Sequence, residues 1–87
     1  MALFRIERQL PEVTQDEIDA AAFRSVACLV RFPDVKWIRS FYDPARFHFT
    51  CFYEAPDPDL IRQHAAIAAI PCDSITQVEE YLPEMYR

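Results

Sequence analysis

Apolar and polar residues alternate from Leu3 to Gln9, with Phe4 and Ile6 in one phase and Arg5 and Glu7 in the other, so this stretch predicts a strand. Leu10-Pro11 ends it. Thr14, followed three residues later by Glu17, is a capping box. Ile18, Ala21, Ala22, Val26 and Leu29 then recur at helical spacing and predict a helix to about Arg31. Phe32-Pro33 stops it, because the residue before proline avoids the helical region. Val35 to Tyr42 is rich in β-branched and aromatic residues and reads as a second strand. Asp43-Pro44 makes a turn, and Phe47 to Glu54 returns as the third strand of an antiparallel hairpin. Asp57 is a natural N-cap with Pro58 at the first helical position. Leu60, Ile61, His64, Ala65 and Ala68 give that second helix an inward stripe, and Ile70-Pro71 breaks it. Ser74 to Leu82 reads as a fourth strand that ends at Pro83.

The order β-α-β-β-α-β with right-handed crossovers predicts a ferredoxin-like α+β split fold over residues 1–87 as one domain. Its antiparallel sheet has the expected strand order 4-1-3-2 and carries both helices on one face. The other face is left bare. Strand alternation assigns Phe4, Ile6, Ile38, Phe52 and Val78 to the helix side. It assigns Arg5, Glu7, Trp37, Arg39, Phe49, Cys51, Tyr53, Gln77 and Glu79 to the open side. A face that mixes aromatic rings with charges is seldom left in water, so two copies are expected to pack these faces together as a dimeric α/β barrel. The barrel interior is either a lattice of interface ion pairs or a ligand pocket. In the pocket reading, Arg5 or Arg39 binds an anionic group, Trp37 and Tyr53 stack on an apolar part, and Glu7 and Cys51 complete the lining.

Composition narrows the partners. Net charge is -5, and the eight arginines are dispersed, which argues against a nucleic-acid surface. No run is long enough to span a membrane, and three cysteines without a CxxC or signal peptide suit a cytoplasmic protein with reduced thiols. Glycine is absent altogether, which excludes glycine-rich phosphate loops. With 52% hydrophobic and 14% aromatic residues on a short chain, a homodimer or higher oligomer is an economical way to bury more apolar surface.

The candidate chemistry is sparse. Metal donors are present, but none sits in a HExxH or CxxC spacing. Alternation places His48 and Glu54 on the strand face opposite Cys51, so His48, Glu54 and His64 converge, if anywhere, near the helix layer. A histidine in an apolar helical stripe is more often a hydrogen-bonded core residue than a ligand. Cys51 has arginines but no histidine on its expected face, which favours an inert thiol over a nucleophile. Glu7 or Glu79 beside arginine is a weak general base. Whether the chain is an enzyme stays open.

Several segments together resemble a known family. They are Ile6-Glu7-Arg8 with Leu10-Pro11, Val35-Lys-Trp-Ile-Arg-Ser40, Cys51-Phe-Tyr-Glu-Ala-Pro56, Arg62-Gln-His-Ala65, and Ile70-Pro71 with Ile75-Thr-Gln-Val78. In order and spacing the chain resembles the small bacterial ferredoxin-like domains of unknown function that include an actinomycete nickel-binding protein. The resemblance implies a dimer and binding of a divalent ion such as nickel. It nominates Glu7, Trp37, Ser40, Cys51, Tyr53, Glu54 and His64. Where relatives usually carry glycine, this chain has Glu12 after the Leu-Pro turn and Ala69 after the second helix. Two functions follow as expectations: a nickel-type metal-binding protein, or a binder or enzyme of small molecules that uses the open face.

Overall fold

Strand β1 (Ala2–Gln9) lies inside a four-stranded antiparallel sheet, between β3 (His48–Ala55) and β4 (Ser74–Val78), with β2 (Lys36–Asp43) on the far edge. The computed structural model describes all residues 1–87. Helix α1 (Gln15–Cys28) runs into a 3-10 turn at Leu29–Arg31, and α2 (Pro58–Ala68) follows β3. The sheet order 2-3-1-4 is the expected split fold read from its other edge.

Local signals act as their chemistry demands. Thr14 Oγ1 accepts from Glu17 N–H while the Glu17 carboxylate accepts from Thr14 N–H, closing the capping box. The Asp57 carboxylate accepts from Asp59 and Leu60 N–H at the head of α2. Helix α2 buries Ile61, His64, Ala65 and Ala68 against the sheet. Helix α1 differs from expectation. Its one fully buried residue is Ser25, and Val26, assigned to the inward stripe, is exposed together with Phe23 and Val30. The fourth strand also ends early, at Val78; Pro83 starts a 3-10 turn to Tyr86 instead of terminating a longer strand.

The larger correction concerns which side chains face the helices. Phe4 pairs with Tyr53, Ile6 with Cys51, and Arg8 with Phe49 across the β1–β3 ladder. Directly opposed residues share a face, so Cys51, Tyr53 and Phe49 lie under the helices with Phe4 and Ile6. Phe52 and Val78 pair with Arg5 and Leu3 and belong to the open face. The odd phase of β3 (Phe49, Cys51, Tyr53, Ala55) is the apolar one, and the even phase holds His48, Thr50 and Glu54. In β2 a bulge between Trp37 and Arg39 resets the alternation. Trp37 and Ser40, three apart, therefore share the helix side, with Trp37 Nε1–H donating to Ser40 Oγ at 2.8 Å. Ile38 is displaced to the open side with Arg39.

Two non-glycine residues occupy the left-handed region: Phe47 in the β2–β3 turn (φ 53°) and Ala69 at the end of α2 (φ 57°, ψ 47°). Despite its Cβ, Ala69 makes the standard helix stop, with Ile70 N–H donating to Ala65 O at 3.0 Å. A left-handed alanine costs about 1–2 kcal/mol, partly offset by the extra freedom glycine has in the unfolded chain. Ala69→Gly should therefore raise unfolding free energy by about 0.5–1 kcal/mol in urea titrations, with an unchanged m-value.

Candidate functional site

On the open face, alternation in β1 and β3 brings Arg5, Glu7, His48 and Thr50 together. The Glu7 carboxylate takes His48 Nε2 at 2.5 Å and the Thr50 hydroxyl at 3.0 Å on Oε2, and Arg5 Nε at 3.2 Å on Oε1. His48 Nδ1 faces Gln9 Oε1 at 3.3 Å. Glu7 is held below the usual carboxylate range, foremost by the His48 hydrogen bond; burial opposes this, while Thr50 and the His48 and Arg5 charges assist. Toward the other end of this face lies a concavity of about 850 Å³ lined by Arg5, Arg39, Glu54, Phe41 and Phe52. Phe41 is 60% exposed there.

The other half of the expected pocket lies across the sheet. Trp37, Cys51 and Tyr53 line a second cavity, of about 540 Å³, between α1 and the strands. The expected grouping of Arg5 and Arg39 with Trp37 and Tyr53 is thus split by the sheet itself. In place of the open-face arginines, this cavity has Arg8, which is only 4% exposed. Arg8 Nη1 donates to Pro71 O at 2.5 Å, its guanidinium lies 5.6 Å from the centre of the Tyr53 ring, and Nη2 has no partner. No carboxylate pairs with it: the ion pairs are Arg5–Glu7, His48–Glu7 and Arg62–Asp59. The sequence reading passed over Arg8, although its phase gave the signal. It follows Phe4 and Ile6 at spacing two, so the charge had to be buried.

His64 is fully buried on α2, edge-on to Phe32 with ring centroids 5.9 Å apart. Nε2–H donates to Ser25 O at 2.9 Å, tying α2 to α1, and Nδ1 has no partner. Burial lowers its pKa below 6.5, opposed by the Ser25 hydrogen bond and assisted by the Arg8 charge, so the ring is neutral at pH 7. Cys51 is buried in the core, and burial raises the Cys72 thiol, which is the opposite of what activates a nucleophile.

As metal donors, His48, Glu54 and His64 do not come together. His64 is on the helix side, while His48 and Glu54 stand at opposite ends of β3 on the open side. No three histidine, cysteine, aspartate or glutamate side chains group closely enough to hold an ion. The one imidazole–carboxylate contact is His48 with Glu7, so a single chain offers two donors where late transition ions take four or more. No helix is long and apolar enough to cross a membrane.

Residues 4–78 match the family described as nickel responsive protein SCO4226-like. The crystal structure of SCO4226 from Streptomyces coelicolor A3(2) superposes on the chain with a TM-score of 0.80 at 21% identity, covering 93% of this chain and 100% of that one. No curated protein matches.

Because His64 is buried in its neutral form, the unfolded chain takes up a proton on it that the folded chain refuses. Its contribution to stability is therefore complete above pH 6.5 and is lost as pH falls from there toward the lowered folded value. The wild type should lose stability relative to His64→Leu over that window, by up to about 1.4 kcal/mol per pH unit, in urea melts run at stepped pH.

Proposed function

Because the chain belongs to the SCO4226-like nickel responsive protein family, we propose that it is a homodimeric metal-responsive protein whose ion binds where two open sheet faces meet. The observation that carries this reading is the His48–Glu7 contact at 2.5 Å on the face without helices. It is half a site, an imidazole and a carboxylate at one point, and a second copy related by a two-fold axis doubles the donor set. That pairing of nitrogen and oxygen donors suits nickel and its neighbours. Within the face, Phe41 and Ile38, 60% and 38% exposed, provide apolar surface to bury against a partner. Arg5 and Thr50 hold Glu7 in place beside His48. His64 has no part in the ion site, since its Nε2 is committed to Ser25 and it lies on the far side of the sheet.

Equilibrium dialysis against nickel with elemental analysis, run beside sedimentation velocity, tests both halves of the reading. The wild type should retain about one ion per two chains, and nickel should shift the monomer–dimer balance toward dimer by mass action. His48→Ala and Glu7→Gln should each lose the ion, while His64→Leu keeps it. Nickel held undiminished by His48→Ala would refute the assignment.

A further inference from the structure

A buried guanidinium with no carboxylate partner is the least expected group in this fold. Charges of this kind are retained only where something compensates them. Pro71 O and the Tyr53 ring compensate in part, yet Nη2 remains free. Arg8 is buried where α1 meets the sheet, and it lines the cavity there together with Ala21, Ala22 and Ser25 of α1. The one carboxylate that lines the cavity, Glu17, is occupied at the α1 cap, where it accepts from the Thr14 N–H and hydroxyl at 3.3 and 3.1 Å. The second arginine of the lining, Arg24, donates to the carbonyls of Ala68 and Ala69 at the end of α2.

We propose that this cavity between α1 and the sheet is a binding site for an amphipathic monocarboxylate, whose head pairs with Arg8 and whose apolar body lies along α1. The head would find hydroxyl groups on Ser25, Ser40 and Tyr53, all of which line the same cavity. Ser40 Oγ accepts from Trp37, which leaves its own proton free to donate. Burial raises the pKa of the Tyr53 phenol against the Arg8 charge and side-chain hydrogen bonds with Ser25 and Arg8, so the phenol keeps its proton beside that pair. A single charge matches a single uncompensated guanidinium; a dianion would bring an extra buried charge without a partner. For the body, Ile18 and Ala22 on α1 face Trp37 and Phe49 on the sheet, an apolar slot. The volume of about 540 Å³ lies within the range of sites for small organic ligands.

This site is independent of the ion site, which lies on the opposite face of the sheet. Calorimetric titration of the full chain with octanoate and with octanamide, equal in chain length and differing in charge, tests it. The wild type should bind octanoate saturably, at about one per chain, and at least about tenfold more tightly than octanamide, the worth of a charge-assisted hydrogen bond. Arg8→Met should erase that preference. Ala22→Leu, which fills the slot and leaves Arg8 in place, should weaken both ligands by about tenfold or more. His48→Ala should bind octanoate as the wild type does, so loss of the nickel reading leaves this one standing. Equal affinity for the two ligands in the wild type, or no saturable binding of either, would overturn the proposal. So would a preference for octanoate that survives Arg8→Met.

Discussion

Everything on this sheet is placed by one register, the pairing of Phe4 with Tyr53 across β1 and β3. Side chains alternate with a period of two, so a slip of one residue would move every group on β3 to the other face. Phe4 and Tyr53 are 4% and 2% exposed and leave no room for such a slip, since it would bury Glu54 and His48 and expose Tyr53 and Cys51. The ladder then fixes the rest. Ile6 opposes Cys51, Arg8 opposes Phe49, and Glu7 opposes Thr50 beside His48. The acidic–imidazole pair of one face and the buried arginine of the other are both consequences of that single alignment.

The elements were legible in the sequence because their ends are written in short-range chemistry. Thr14 with Glu17, Asp57 with Pro58, and the Leu10-Pro11, Phe32-Pro33 and Ile70-Pro71 breaks each act within a few residues, and the topology follows from their order. Which side chains share a face was less legible. Phe52 drew β3 into the wrong phase, although His48, Thr50 and Glu54 mark its even positions as the wetter ones. In β2 the bulge after Trp37 is a feature of pairing with β3, with no glycine or proline to announce it, so alternation read through it misplaces Trp37 and Ile38. Beyond β4, the ladder to β1 stops at the pair of Val78 with Leu3, near the start of β1, and Glu79 and Glu80 leave the sheet before Pro83. Of the candidate site, Arg5, Glu7 and Arg39 fall on the face expected of them, and the observed phase of β3 puts His48 beside Glu7 on that same face.

The sheet separates two kinds of chemistry that the sequence reading had merged. Its open face holds the polar cluster around Glu7, half-exposed and adjustable, which is the setting in which donor atoms exchange hydrogen bonds for a ligand. Its covered face holds groups whose ionisation is suppressed by burial: His64, Tyr53 and Cys72 all shift toward their neutral forms. His64 links the two helices through Ser25 O and packs against Phe32 and Tyr53, so it is a structural pin of the helix layer. A histidine can thus stand at a position that a family resemblance nominates and serve the fold there.

Arg8 is the exception on the covered face, and its energetics point beyond the isolated chain. Moving a guanidinium out of water costs several kcal/mol even after relaxation, and one carbonyl, one ring face and the Tyr53 phenol return only part of that. A small domain has few kcal/mol of net stability to spare. If the arginine served packing alone, an apolar side chain of similar length would fill the space at lower cost, and α1 would settle onto the sheet around it. Instead α1 buries only Ser25, and a cavity remains between α1 and the sheet with the buried Arg8 in its wall. An unfilled apolar slot and an unpaired cation each weaken the free protein. Placed side by side they are relieved by the same event, the arrival of a group that carries one negative charge on an apolar frame.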